Sequence, residues 1–278
     1  MNVDTEQIVK NYLDTLNINQ DIKSLEDIST LAKAHLQTYA FGNPKILLGE
    51  SVPIDLESIY NNLVVNKRAG YCFEHNKLMY EVLKAKGFEV TQHLARVVNN
   101  QSPPTIPMTH RVTVLYYQGE QYLVDVGVGF RSPTVVIKIG DTEPTLSHLG
   151  IEYNVLPVDA DKNVYTMQLM EKNEPYNATA FDLIENIDAD FEVGNFYCYM
   201  NPEGIWRNNL VVSCYGEDVI YSLRNTDYFK IYADHTEQVT ITKLEHFIDI
   251  MQNELNVNYS RDELAQVFES YVQHKAEH

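Results

Sequence analysis

Hydrophobic spacing first changes along this chain at Gly87, and that change limits what the chain can fold into. Ahead of Gly87 apolar side chains recur every three or four residues; beyond it they alternate. Ile8, Val9, Tyr12, Leu13 and Leu16 share one helical face. A second helix opens at Ser24, where Asp27 three residues on completes a capping-box pattern, and it turns Leu25, Ile28, Leu31, Ala32, Leu36 and Tyr39 inward. Asp55 has the chemistry of an N-cap for a third helix carrying Leu56, Ile59, Tyr60 and Leu63. A fourth helix is predicted from Cys72 to Lys86, stopped by Gly87, which tolerates positive φ.

The alternating part begins with a strand over 88–98, and 99–108, with Pro103, Pro104 and Pro107, reads as a loop. The runs 111–117 and 122–126 form a hairpin about Gln118-Gly119. Further β-branched and aromatic runs lie at 134–139, 151–156, 164–170, 211–215, 219–223 and 228–232. Two helices close the chain. Phe247, Ile248, Met251 and Leu255 line the first, and the second starts at Ser260 with Glu263 in another capping box. The order is a helical bundle, then mostly β, then a mixed part with a helical end.

The 278 residues, 44% of them hydrophobic, supply a sizeable core for one large domain or two modest ones. A net charge of −18 argues against a nucleic-acid partner, which would need a basic surface. No apolar run approaches the roughly 20 residues of a membrane span, so no membrane partner is expected. The N-terminal MNVDTEQIVKNYLDTL is acidic and amphipathic, unlike a signal peptide. Cys72, Cys198 and Cys214 are scattered, with no CxxC pair to suggest structural zinc, and they read as free thiols of a reduced compartment. The expectation is an acidic cytoplasmic protein without a metal.

The segment richest in chemistry is Arg68-Ala69-Gly70-Tyr71-Cys72-Phe73-Glu74-His75-Asn76. Gly70 permits a tight turn and Cys72 opens a helix, whose N-terminal N–H groups and dipole favour a thiolate. A nucleophilic thiol needs a base, and the base needs an orienting group. Thr109-His110-Arg111 and Leu123-Val124-Asp125-Val126-Gly127 offer both. With Gln118-Gly119 as a two-residue turn, 110 pairs with 127 and 112 with 125, so His110 and Asp125 become diagonal neighbours on one face. Blander readings compete: a cysteine is most often a small buried hydrophobe. His35 reads as a packing residue, and His75 as an alternative base or a surface residue. Between Lys67 and Lys138 the charge balance is +4 against −22 for the remainder, a field suited to a polyanionic small molecule.

Taken together these segments resemble the arylamine N-acetyltransferase family. Its Arg-Gly-Gly-x-Cys-Phe-Glu-x-Asn segment is matched at 68–76 with only Ala69 differing, its Thr-His strand at Thr109-His110, and its Leu-Val-Asp-Val-Gly strand at 123–127. A weaker likeness takes in Phe41, Asn43, Asn195, Pro202, Trp206 and Leu210. The resemblance implies Cys72, His110 and Asp125 as a catalytic triad, with acetyl-coenzyme A as acyl donor and aromatic amines or hydrazines as acceptors. By motif position, Phe41, Val98 and Val128 are expected to line the substrate pocket, and Thr109 and Trp206 to contact the donor.

The implied fold is α+β with a papain-like Cys-His-Asp site. A helical bundle (1–87) carries the nucleophile, a β-barrel (88–190) carries His and Asp, and an α/β lid (191–278) follows. Two departures stand out. Ala40-Phe41-Gly42-Asn43 replaces the usual Pro-Phe-Glu-Asn, so Arg68 loses its glutamate partner. Val128 replaces a phenylalanine, which reshapes the acceptor pocket. The expected reaction is ping-pong acetyl transfer through a cysteine thioester. The same triad serving an amide synthase or a thiol hydrolase, or a non-enzymatic binder on the same fold, are the rival readings.

Overall fold

The computed structural model describes residues 5–101, 105–159, 163–171 and 173–273; Pro103 and Pro104 of the predicted loop lie outside them. The first part is helical: α1 (Thr5–Thr15), α2 (Leu25–Thr38), the short β1 (Phe41–Gly42), α3 (Pro44–Leu47), α4 (Leu56–Ile59) running on through a wider turn over Tyr60–Val65, and α5 (Cys72–Ala85). Ser24 caps α2 as its sequence demands: its hydroxyl accepts from the Asp27 N–H, and its own N–H donates to the Asp27 carboxylate at 2.9 Å. Asp55 caps α4 through the Ser58 N–H, and α5 stops at Gly87 with φ at +86°.

The sheet part comprises β2 (Glu89–Val97), β3 (His110–Tyr117), β4 (Glu120–Val124), β5 (Ile137–Lys138), β6 (Thr145–Leu146), β7 (Glu152–Asp159), β8 (Val164–Glu171) and β9 (Glu174–Asp182). They pair antiparallel in the order β5-β4-β3-β2-β9-β8-β7-β6, and a bridge from Ile139 to Val155 brings the β5 end round to β7, nearly closing a barrel. Ala95, Val112, Val114, Leu123, Ile137, Tyr153, Val155, Met167 and Phe181 fill it. The β3–β4 hairpin has the predicted register, Thr113 opposite Val124 and Tyr117 opposite Glu120, because Gln118 and Gly119 both take positive φ in a two-residue turn. The run at 134–139 pairs only over Ile137–Lys138, while β9 was not foreseen.

The chain then forms α6 (Asp188–Met200), α7 (Ile205–Asn208), β10 (Val211–Tyr215), β11 (Ile220–Arg224), β12 (Asp227–Ile231), β13 (Thr236–Thr240), α8 (Leu244–Asp249, continuing over Ile250–Glu254) and α9 (Arg261–Val267, continuing over Phe268–Gln273). β1 from the helical part heads this second sheet, in the order β1-β10-β11-β12-β13, with Phe41 opposite Ser213. The helices α8 and α9 cover the sheet through Phe247, Ile250, Met251, Leu264 and Val267. The architecture is α+β: helical bundle, barrel and α/β lid. The main core joins all three, with α1, α2 and α5 packing on Leu115, Val124 and Val126 of the barrel side and on Phe191, Tyr215 and Ile220 of the lid side. The first turn of α5 sits at that junction.

Candidate active site

The approach to α5 is built from close backbone contacts. The Gly42 N–H donates to the Gly70 carbonyl at 2.6 Å, and Gly70 has no room for a side chain: a Cβ there would lie 2.8 Å from Leu63 and 3.0 Å from the Glu74 carboxylate. Glu74 accepts from the Tyr71 N–H at 3.1 Å and from the Asn62 amide at 2.8 Å, fixing the turn that delivers Cys72 as the first helical residue. Burial raises Glu74 to about 7, against the pull of Lys45 and these hydrogen bonds.

Beside that helix start stand the two predicted partners. His110 donates Nε2–H to Asp125 Oδ2 at 2.7 Å, with both side chains essentially buried. Asp125 Oδ1 accepts from the Asn76 amide at 2.8 Å and from the Gly127 N–H at 3.0 Å, so three donors satisfy its two oxygens. Asn76 lies one helical turn beyond Cys72, so α5 presents both to the same side. Its Nδ2 also donates to the Arg111 carbonyl, and its Oδ1 accepts from the Val126 N–H at 2.9 Å. The amide therefore bolts α5 to β3 and to the end of β4. Gly127 completes the joint, since a Cβ there would lie 2.6 Å from Asn76 Nδ2 and 2.9 Å from Cys72 Cα.

The Cys72 sulfur is buried and lies 3.7 Å from the carbonyl oxygen of Thr109, the residue before His110. With Nε2 committed to Asp125, Nδ1 is the ring nitrogen of His110 left to act as a base. Burial, then Cys198 and the Asp125 carboxylate, push the thiol well above its ordinary value, and the backbone amides of Phe73 and Arg111 only partly oppose them. A thiolate at this position depends on a counter-charge, which an imidazolium at His110 would supply. The arrangement favours a concerted transfer: moving the sulfur's proton onto imidazole beside Asp125 leaves the net charge of the site unchanged.

The remaining candidates fall into two groups. Phe41 stacks edge-on against Trp206 at 5.8 Å, and Trp206 also meets Tyr71 at 5.7 Å, so these rings and Thr109 gather at the helix start with the sulfur. The interactions that fix Val98 and Val128 belong to the barrel instead. The Val98 N–H is held by the Ala178 carbonyl, and Val128 packs against the barrel core with its N–H on Ser132.

A family model described as N-acetyltransferase matches residues 24–264. The chain belongs to the arylamine N-acetyltransferase family. An arylamine N-acetyltransferase of Escherichia coli (strain K12) is 29% identical over 92% of this chain and 94% of its own. The arylamine N-acetyltransferase structure from Salmonella typhimurium superposes with a TM-score of 0.88 at 23% identity, covering 95% of this chain and 98% of that one. That from Mycobacterium marinum, in complex with CoA, gives 0.86 at 25% identity, covering 93% and 98%.

Within that family frame several residues of this chain take parts the sequence reading did not assign. Arg68, without the usual glutamate at 42, forms a two-pronged bond with Glu50 at 2.9 and 2.6 Å, reaches Glu263 at 3.0 Å and stacks over Tyr259. Position 42 itself admits no side chain, because a Cβ would lie 2.8 Å from the Val211 carbonyl. His75 is not a surface residue. It is fully buried, with Nε2 on the Ala40 and Gly70 carbonyls and Nδ1 2.7 Å from His35, which in turn meets the Tyr12 hydroxyl. Burial holds His75 down to about 4, so the chain of rings is neutral scaffolding under the Gly70 turn rather than a second base.

Part of the local basic surplus is spent internally. Arg68 is paired as above, Lys77 pairs with Glu81 and Asp188, Arg131 with Glu171 and Lys138 with Glu120. The spacing of Asn76 four residues after Cys72 was the one available signal for its role.

Proposed function

We propose that this family member is an acetyl-CoA:arylamine N-acetyltransferase that works by ping-pong transfer through Cys72. The observation that carries the reading is the joint at the α5 start. The Cys72 sulfur stands beside the residue that precedes His110, and His110 is locked onto an Asp125 that Asn76 and Gly127 hold in turn. In the first half-reaction the Cys72 proton passes to His110 Nδ1, and Asp125 stabilises the imidazolium and fixes its orientation. The sulfur attacks the acetyl thioester, N–H groups of the first turn of α5 hold the oxyanion, and the coenzyme A thiolate leaves with a proton from His110.

In the second half-reaction an aromatic amine or hydrazine attacks the acetyl-cysteine. His110 takes the amine proton, and the thiol is restored. Thioester exchanged for thioester is nearly balanced, so neither ATP nor a metal is called for. Phe41 and Trp206 are positioned to form an aromatic wall for the acceptor and the donor's thioester end, with Val98 and Val128 completing the pocket from the barrel side. The parts 1–87, 88–190 and 191–278 divide the work: nucleophile, base with its orienting acid, and cover. Three free buried thiols suit a reducing, cytoplasmic setting. Among the described residues no helix is long and apolar enough to cross a membrane.

The test is an intact mass after incubation with acetyl-CoA. One acetyl group should be gained by the wild type, none by Cys72→Ser, and an added arylamine should discharge it as the N-acetyl product. Discharge at the same rate without amine would assign the chain to hydrolysis instead.

A further inference from the structure

A second sulfur shares the nucleophile's surroundings. Cys198, on α6, lies with Sγ 3.8 Å from the Thr109 carbonyl oxygen, the same oxygen that Cys72 Sγ approaches at 3.7 Å. Two features bring it there. Gly194, one turn earlier on α6, lets that helix close on the start of α5: a Cβ at 194 would lie 3.0 Å from the Phe73 ring and 3.4 Å from the Met108 carbonyl. Asn195 then ties α6 to the residue before the nucleophile through the Tyr71 hydroxyl, and to the helical bundle through the Val52 carbonyl at 2.7 Å. Cys198 has no part in the transfer chemistry described above. Cys214, by contrast, is buried against the Leu36 and Gln37 carbonyls of the bundle, apart from this pair.

We propose that Cys72 and Cys198 form a peroxide-responsive dithiol, in which a hydroperoxide converts the two thiols to a disulfide that reversibly masks the nucleophile. The proposal rests on Cys72 being the reactive nucleophile of the reading above. The steps balance. The Cys72 sulfur, giving its proton to His110, attacks the distal peroxide oxygen; the O–O bond breaks, and the departing alkoxide or hydroxide takes the proton back from His110. This leaves a sulfenic acid on Cys72 and an alcohol or water. Cys198 then attacks that sulfur, the S–O bond breaks, and hydroxide leaves with the Cys198 proton as water.

Overall two thiols lose two electrons and two protons to one hydroperoxide. Burial raises both thiols, and what sets Cys72 apart is the His110–Asp125 pair that the transfer reading gives it as a base; Cys198 is left to attack the electrophilic sulfenic sulfur.

The experiment treats the purified enzyme with one equivalent of hydrogen peroxide, then reads intact mass, peptide mapping under non-reducing conditions, and acetyl transfer before and after dithiothreitol. The expected result is a loss of two hydrogen masses, a Cys72–Cys198 linked peptide pair, complete loss of transfer, and full recovery on reduction. Cys198→Val should keep its transfer activity and, on peroxide treatment, gain one oxygen at Cys72 with no linked peptide, an adduct that dithiothreitol also removes. Cys214→Ser should behave as wild type. Oxygen addition to wild-type Cys72 with no linked peptide, or the same peroxide product in wild type and Cys198→Val, overturns the proposal. Acetylation of untreated enzyme by acetyl-CoA is scored in parallel. If Cys72 acetylates but no disulfide forms, only the dithiol fails; if Cys72 does neither, the transferase reading fails with it.

Discussion

Replacing Gly127 by alanine isolates the joint between the start of α5, which carries Cys72, and the chain beyond β4 that holds Asp125. Gly127 has no positive φ, so the backbone itself would accept a side chain. The obstacle is contact: the added methyl would lie 2.6 Å from Asn76 Nδ2 and 2.9 Å from Cys72 Cα. Carbon contacts are comfortable at about 3.5–4.0 Å, so α5 and the end of β4 must part by roughly 0.6–1 Å. Overpacking of that kind costs about 1–3 kcal/mol, at roughly 2–4 °C of melting temperature per kcal/mol. The kinetic cost is larger, since a misplacement near 1 Å between reacting groups lowers the rate by about 10²-fold.

The assay is single-turnover acetylation of Cys72 followed by intact mass, with a thermal melt alongside. Gly119→Ala serves as control. Its φ of +82° makes alanine strained, but nothing lies within 4 Å, so it should lower the melt and leave acetylation alone. Adding Asn76→Ala to Gly127→Ala removes one of the two clashes but not the one with the Cys72 backbone, so the rate should not recover. If Gly127→Ala acetylates within about twofold of wild type, the close packing at this joint does not govern the chemistry, and the reasoning is wrong.

Asn76→Ala alone strips a donor from Asp125 and orphans the Val126 N–H; a lost charge-assisted bond of about 1.5–3 kcal/mol corresponds to a roughly 10–100-fold slower acetylation, and an unaltered rate would show that Asp125 is held without it. Arg68→Lys keeps the charge but loses the two-pronged bond to Glu50, and should lower urea stability by about 1–2 kcal/mol; an unchanged midpoint would mean that charge alone suffices. His35 and His75 are buried as neutral rings, His75 held down to about 4, so their contribution is complete above the unfolded value of 6.5 and is lost as pH falls toward 4, on the order of 3 kcal/mol for His75 alone. Glu74 acts in the opposite sense. Raised to about 7, it favours the protonated fold, so its contribution is lost as pH climbs from 4.5 through 7. Urea midpoints measured from pH 4 to 8 should show the second slope vanish in Glu74→Gln, and a slope that persists would place its source elsewhere.

What was legible in the sequence was local or periodic. The boxes at Ser24/Asp27 and Ser260/Glu263 appear as written, because a cap is decided within four residues. The β3–β4 register follows from two turn residues, and it brings His110 to Asp125. The helix α6 was missed because its apolar residues do not form a stripe. Phe191 and Cys198 are buried while Val193, Phe196, Tyr197 and Met200 are exposed, so no period marks an inner face. The strand β13 was missed for a related reason: it is an exposed edge with sequence TEQVT, lacking any alternation to read. On α5, Glu74, His75, Asn76 and Lys77 are buried in succession, so nothing in the pattern separated a surface histidine from a core one. The partners of Arg68 stand 18 and 195 residues away, beyond the reach of any local rule.

That last separation has a consequence for how the enzyme comes into being. The guanidinium next to the Gly70 turn is held by a carboxylate from the first turn of α9, and the lid sheet is headed by β1 from the bundle. On a growing polypeptide, then, the bundle that bears the nucleophile emerges long before the pieces that clamp it. The reactive thiol waits without its finished setting until almost the whole chain has left the ribosome. Birth order thus leaves the Gly70 turn without its Glu263 clamp until the last described helix is made.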